Sequence, residues 1–328
     1  MNGVARPILT IALAVMVSGT GAGRAEACVT PVFQFALENW TPCNLDVAVV
    51  HRDKLSADQE AAANLLRRAA HGDGSAANVD VRLVRAGKDG DSGAPLPRIE
   101  LRLAGARQPA APVWTGELTS AGAQAVLDSP ARREIGRLLL GRRSAVWVLL
   151  EGGDRRQDER AAETLERMLP RLEATLQLPD PTAWEAAAGT VASTIDFAMV
   201  RVRRDDPAEA VLVGMLLGTE HDLTDFERTP IVFPVYGRGR VLYALVGPGI
   251  NDRTVTRAGE FLVGPCSCIV KADHPGADLL LSVDWAAEVV PLGRPDAIAP
   301  AGLSTFLDRQ ARAARLLSED GGHGGDPQ

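Results

Sequence analysis

The sequence of 328 residues predicts a mixed α/β protein made of two halves that repeat one order of strands and helices. Three observations predict this class. Each half begins with a continuous apolar run typical of a buried strand, Leu45–His51 in the first half and Ser144–Leu150 in the second. A segment rich in helix-forming residues follows each run. Two strands spaced like a hairpin then precede a closing helix in each half.

The elements of the first half follow from local patterns. Ser56 is a favourable N-cap for the Ala- and Leu-rich helix Ala57–Ala70. The segment Val79–Arg85 alternates apolar and polar residues, which predicts a strand. The Gly-rich residues 86–96 form a loop where a second helix would otherwise stand. Strands at 97–103 and 112–118 and a helix at 120–140, with a break at Pro130, complete this half.

The second half repeats this order with a middle helix in addition. The first strand leads into a helix at Asp158–Leu178, and we expect Pro170 to break that helix. A long alternating strand follows at Ile195–Arg203, and Pro207 opens the middle helix Ala208–Leu217. The half is completed by the strands Ile231–Val235 and Arg240–Val246 and by the helix Thr254–Leu262.

This order resembles the thioredoxin fold, in which a βαβ unit is followed by a ββα unit on one mixed sheet. The resemblance covers residues 44–264. In both halves a proline precedes the third strand, Leu96-Pro97 and Thr229-Pro230, where such folds carry a cis-proline. We therefore predict an α/β (α+β, mixed-sheet) protein with two tandem thioredoxin-like domains and a short C-terminal extension. Their boundaries are 28–142, 143–265 and 266–328.

The N-terminus predicts export. Residues 8–17 are uncharged and apolar, but ten residues are too few to cross a hydrocarbon core of about 30 Å as a helix. Ala25-Glu26-Ala27 fits a signal-peptidase cleavage pattern, so residues 1–27 are predicted to be a signal peptide. The mature protein would be periplasmic or extracellular, without a transmembrane segment. Lipid anchoring at Cys28 is the less favoured alternative, because Ala25 and Glu26 do not match the residues that precede a lipid-modified cysteine.

Two segments are similar to a known group of sequences. One runs from Cys28 to Trp40, and the other joins Phe233–Arg240 through Gly264-Pro-Cys-Ser-Cys268 to Asp284-Trp285. In these segments the chain resembles a family of uncharacterised secreted bacterial proteins with thioredoxin-like domains, mostly from planctomycete-type bacteria. The resemblance implies fold and export, and it implies no activity.

The strand-to-helix junctions argue against dithiol chemistry. A thioredoxin-like oxidoreductase needs a cysteine where the helix after the first strand begins, because the helix dipole stabilises a thiolate there. The two junctions, His51–Ser56 and Glu151–Arg156, contain none. We therefore predict a binding or scaffold protein without a cofactor, with a peptide or protein partner near Pro97, Thr229 and Pro230 by analogy to the fold. The net charge of −7 does not favour nucleic acid as a partner.

The four cysteines leave three interpretations open. Cys28 precedes a predicted helix over 32–40, and Cys43 lies too far beyond its other end to form a disulfide with Cys28 unless that helix is short. The favoured interpretation is a structural bridge between Cys28 and one thiol of Cys266-Ser-Cys268. A reactive thiol site formed by Cys28, Cys266 and Cys268 is the second. A soft-metal site that holds Cu(I) or zinc on the same three thiolates is the third.

Overall fold

A computed structural model describes residues 30–71, 77–87, 95–104, 111–181, 192, 194–266 and 270–289. The predicted signal peptide, Cys28, Cys268, most of the Gly-rich loop and the C-terminal tail lie outside the described residues. The α/β class is confirmed, since two mixed sheets are packed with helices. None of the helices in the described ranges is both long enough and apolar enough to span a membrane.

The described helices and strands alternate much as the sequence predicts. The helices are α1 Val32–Asn39, α2 Ala57–His71, α3 Ser120–Leu127, α4 Pro130–Leu140, α5 Arg155–Thr175, α6 Ala210–Leu217, α7 Asp252–Val263 and α8 Trp285–Glu288. The strands are β1 Leu45–His51, β2 Val79–Arg85, β3 Arg98–Arg102, β4 Trp114–Glu117, β5 Ala145–Glu151, β6 Phe197–Arg203, β7 Ile231–Tyr236, β8 Arg240–Val241, β9 Leu245–Val246 and β10 Ala277–Asp278.

The two sheets share one strand order. The first is β2-β1-β3-β4, with β1 parallel to β2 and antiparallel to β3. The second is β6-β5-β7-β8-β10, with β5 parallel to β6 and antiparallel to β7, while β9 also pairs with β7. In each sheet a central strand, β1 or β5, begins the corresponding half of the chain. A helix connects this central strand to its parallel neighbour, β2 or β6. The carboxyl ends of the parallel strands therefore meet at one edge of each sheet, beside the start of the helix that follows.

The packing of two helices differs from the predicted boundary between the halves. Helix α1, which the sequence places with the first half, buries Phe33 and Ala36 among apolar residues of β5, α5 and α7. Helix α4, which the sequence assigns to the end of the first half, packs on β5 and β6. The apolar face of β1 and one face of β5 belong to a single buried cluster. The two halves therefore share a core.

Three local expectations are corrected by the structure. Helix α5 continues through Pro170, because the residues around it, including Met168, Leu169 and Leu172, are buried against the second sheet and outweigh one lost backbone hydrogen bond. The predicted strand 240–246 is interrupted, so that β8 and β9 are separate. The Leu96–Pro97 peptide bond is cis, whereas Thr229–Pro230 is trans. By contrast, the break at Pro130 is confirmed: Ser129 Oγ accepts from Arg132 N and caps the new helix α4.

The segment after α7 forms part of the second sheet. Strand β10 pairs with β8, and Leu279, Leu280 and Leu281 are almost fully buried. The Asp278 carboxylate is 3% exposed and accepts hydrogen bonds from Arg240 Nη1 at 3.2 Å and from the ammonium group of Lys271. The same carboxylate accepts from the backbone N of Cys43 at 2.8 Å. This one side chain therefore joins the segment before β1, the β7–β8 hairpin and the C-terminal segment.

Candidate functional site

The junction between β5 and α5 forms one wall of an open cleft. Asp154 caps α5 by accepting from the backbone N of Arg156 and Gln157. Gly152 and Gly153 bridge strand and helix, and both donate their backbone N–H to the buried carboxylate of Asp158 at 2.8 and 3.0 Å. These bonds hold the turn in one conformation, and Gly153 has a positive φ of 86° that favours glycine.

A glycine at 152 lets this turn lie directly against the segment that precedes β7. A Cβ atom at this position would stand 2.5 Å from the carbonyl carbon and oxygen of Arg228 and 2.6 Å from Thr229 N. Side-chain carbon atoms do not approach backbone this closely. The absence of a side chain at Gly152 therefore places the β5–α5 turn beside Arg228, Thr229 and Pro230.

The cleft at this place has a volume of about 550 Å³, within the range of small-ligand sites. Its walls come from the ends of β5 and β6 and from the segment before β7. They consist of Glu151, Gly152, Gly153, Arg203, Arg204, Asp205 and Arg228. We call this space the arginine cleft. Thr229 and Pro230, which the sequence predicts as binding residues, directly follow Arg228 in the chain but are not among the described residues that line the cleft, and Pro230 is buried.

Three of the charged side chains that line the arginine cleft already have ion-pair partners. Arg203 forms a two-bond ion pair with Asp205, with a shortest distance of 2.8 Å. Glu151 accepts from Arg201 Nε at 2.6 Å. Arg204 is half-buried, and its closest acceptor is Thr229 O at 3.4 Å from Nη2. Burial lowers the pKa of the Arg204 guanidinium, although Glu227 and Asp158 favour its charged form.

The corresponding place in the first half is much smaller. His51, Leu55, Gln59 and Pro97 are among the residues that line a hollow of about 60 Å³ between the end of β1, the start of α2 and the cis Leu96–Pro97 bond. The imidazole Nδ1 of His51 lies 2.9 Å from Asp53 O. Pro97 thus lies at the corresponding end of the sheet, as the sequence predicts, but this hollow is too small for more than a side chain.

A second candidate site lies around Cys266, on the segment after α7. Cys266 is 1% exposed, and its Sγ is 4.0 Å from Nε2 of His274, which is 8% exposed. The His274 ring packs against Trp40, with 4.7 Å between ring centroids, and against Phe261. His274 was not predicted as part of a site, and its only signal in the sequence is a spacing of eight residues from Cys266.

The chain before α1 contacts the same segment. Pro31 pairs with Pro265 as an antiparallel bridge, Cys266 N donates to Thr30 O at 2.9 Å, and Val32 N donates to Gly264 O at 3.0 Å. Cys28 and Cys268, which are two residues from Thr30 and from Cys266 in the sequence, lie outside the described residues.

Cys43 stands apart as a candidate thiol. Its side chain is exposed and lies 3.5 Å from the Lys271 ammonium nitrogen. Desolvation and the neighbouring Asp278 carboxylate raise the pKa of this thiol despite Lys271, so it is predominantly protonated at neutral pH. No disulfide joins Cys43 to Cys266, the two cysteines within the described ranges. In the same ranges no three His, Cys, Asp or Glu side chains converge on a position that could hold a metal ion.

Similarity to known proteins adds nothing to these sites. Comparison of the chain with protein-family models, with curated proteins and with solved structures gives no match. The geometry of the arginine cleft and of the Cys266 segment is therefore the basis for inferring function.

Proposed function

We propose that this chain is an exported binding protein made of two fused thioredoxin-like units without dithiol active sites, and that its partner is a peptide or protein segment. The strand order β2-β1-β3-β4, repeated as β6-β5-β7-β8, supports the thioredoxin-like assignment. The order of parallel and antiparallel neighbours is also the same in both sheets. The predicted signal peptide, residues 1–27, supports export to the periplasm or the extracellular space.

The observation that carries the proposal is the arginine cleft. It lies where the first helix of the unit begins, beside the X-Pro segment that precedes β7, and it is open to solvent. Among the described residues, neither its walls nor the lining of the corresponding hollow in the first half contains sulfur. A cleft of this volume whose described walls carry charged side chains and no thiol is suited to binding rather than to disulfide exchange.

The proposal is tested by photocrosslinking on the mature protein. A photoreactive amino acid replaces Asp205, which lines the arginine cleft. In a control protein it replaces Arg171, which is exposed on α5. Arg171 lies 16 residues after Arg155, so it is about 24 Å along the helix axis from the start of α5. With a panel of synthetic dodecapeptides of varied composition, we expect crosslinks at position 205 and none at position 171. Equal labelling at both positions, or none at 205, would contradict the proposal.

A second assay separates binding from redox chemistry. Insulin reduction by the mature protein is compared with that of a variant in which Cys28, Cys43, Cys266 and Cys268 are all serine. We expect no difference between the two proteins. Turnover that depends on the cysteines would show that the chain is a thiol enzyme.

The alternative function is a thiol-redox or soft-metal site formed by Cys28, Cys266 and Cys268. Two observations favour it: the hydrogen bond between Cys266 and Thr30, and the 4.0 Å separation of the Cys266 and His274 side chains. The same proximity also supports a structural disulfide between Cys28 and one of the two thiols. Sulfur and imidazole nitrogen are ligands that zinc and copper accept.

Intact mass with metal analysis distinguishes these cases. Thiols that are alkylated only after strong reduction, without bound metal, would support the structural disulfide. One equivalent of zinc or copper that is lost in Cys266→Ser would support the metal site. Thiols that are labelled without reduction in the absence of metal would support a reactive thiol.

A further inference from the structure

Arg204 at the back of the arginine cleft is incompletely satisfied. Its Nε is buried and has no hydrogen-bond partner, and its Nη2 reaches Thr229 O only at 3.4 Å. A buried donor without an acceptor costs free energy, so such a group in a folded protein requires an explanation. The Asp158 and Glu227 carboxylates interact with Arg204 electrostatically, yet neither forms an ion pair with it within 4.0 Å. The position of this guanidinium is therefore not explained by contacts within the described chain.

Arg228 is the second cation of the cleft without an ion-pair partner among the described residues. Its side chain is exposed and forms no hydrogen bond or ion pair with any residue that the structure describes. The Asp154 carboxylate, which interacts electrostatically with Arg228, is already occupied as the cap of α5. Arg203, the third arginine in the walls, differs because its Nε and Nη2 donate to the Asp205 carboxylate. The described part of the cleft thus contains two cations without a paired carboxylate and a third that is paired with Asp205.

The backbone donors of the cleft are not available to an anion. Asp158 accepts from Gly152 and Gly153, and Asp154 accepts from the first amides of α5. A bound anion would therefore be recognised by side chains and not by a helix N-terminus. Guanidinium groups match the planar oxygen pairs of carboxylates and phosphates and form two parallel hydrogen bonds with them.

We propose that the arginine cleft binds its partner through an oxyanion group, a carboxylate or a phosphate, held between the guanidinium groups of Arg204 and Arg228. This inference rests on the proposed function and deepens it, because it states which chemical group the cleft selects. An oxyanion there would supply the acceptor that Arg204 lacks. It would also compensate the positive charges of these two guanidinium groups, which line the same cleft.

The test is a titration of the mature protein at low ionic strength with two defined probes, inorganic phosphate and N-acetyl-triglutamate amide. We expect binding of at least one probe. Since a hydrogen bond to a charged group is typically worth a factor of about ten or more, Arg204→Gln and Arg228→Gln should each weaken that binding at least about tenfold. Arg204→Lys retains the charge without the planar fork, so an intermediate loss is expected.

A matched variant removes the same charge elsewhere. Arg171→Gln lies far along α5 from the arginine cleft. It should leave affinity within about threefold of the wild type, which is the size expected for loss of a distant, screened charge. Because Arg228 is exposed, its substitution is not expected to affect folding, and melting curves of all variants verify this.

The outcomes separate the inference from the proposed function. Binding of phosphate but not triglutamate, or the reverse, identifies the source of the oxyanion. Failure of both probes to bind, or binding that Arg204→Gln and Arg228→Gln leave unchanged, overturns the inference. If dodecapeptides are nevertheless crosslinked at position 205 without preference for acidic sequences, the cleft binds peptides and only the oxyanion selection is wrong. If no peptide is crosslinked but phosphate binding requires both arginines, the peptide-binding function is wrong and the anion site stands.

Discussion

Replacing Asp278 by alanine is expected to destabilise the fold by about 3 kcal/mol. Removing one member of a buried ion pair costs about 3–5 kcal/mol, because the partner is left as an uncompensated buried charge. Here the cost lies at the lower end. Arg240 keeps the His274 carbonyl at 2.7 Å and the Pro275 carbonyl at 3.2 Å, and Lys271 keeps the Thr41 carbonyl at 2.7 Å. Asp278→Asn retains one neutral acceptor and should cost less.

The assay is urea unfolding followed by circular dichroism, with a thermal melt of the same samples. For a chain of this size a loss of about 3 kcal/mol corresponds to a fall of about 6–12 °C in Tm. The control is Asp205→Ala, which removes the carboxylate of the exposed pair with Arg203 and should leave the unfolding midpoint unchanged. A destabilisation by Asp278→Ala of less than about 1 kcal/mol would refute the reasoning that this carboxylate joins three segments of the chain.

Three further predictions concern other buried or close contacts. Burial tends to raise the pKa of Glu100, but hydrogen bonds from Arg98 and Arg102 outweigh it and hold the pKa below 4.5. The contribution of the ionised Glu100 to stability is therefore present above about pH 4.5 and is lost as the pH falls through the folded-state pKa. In Glu100→Gln the midpoint of urea unfolding should consequently fall less on acidification than in the wild type. An unchanged pH profile would count against this. The Glu209 carboxylate accepts hydrogen bonds from Ser129 Oγ at 2.6 Å and from Ala131 N at 2.8 Å. Glu209→Ala should lower the free energy of unfolding in urea by about 3 kcal/mol, and Glu209→Gln should have an intermediate effect. Equal stability of all three proteins would contradict this prediction. Gly152→Ala should lower stability by about 1–3 kcal/mol because its Cβ meets backbone at 2.5 Å, whereas Gly249→Ala, with open space around it, should melt close to the wild type.

The candidate site was only partly predictable. Thr229 and Pro230 could be singled out from element order and the resemblance to the thioredoxin fold, and Thr229 N lies close to Gly152 in the β5–α5 turn. Their role in binding stays a prediction. Arg204 and Arg228 were missed, although each carries a signal: Arg204 directly follows a predicted strand, and Arg228 directly precedes Thr229-Pro230. What could not be predicted is that Arg203 is paired with Asp205 while Arg204 has no carboxylate within ion-pair distance among the described residues. That difference depends on side-chain directions at the end of β6.

The sequence by itself determined most elements of the two halves and their order. Apolar runs such as β1 and β5 and caps such as Ser56 act over a few residues, so their pattern is visible without the fold. Only the tertiary structure decided which sheet α1 and α4 cover, that α5 continues through Pro170, and that Asp278 meets Cys43, 235 positions earlier. The physical reason is that these outcomes depend on burial and contacts between distant residues, for which a short window of sequence holds no information.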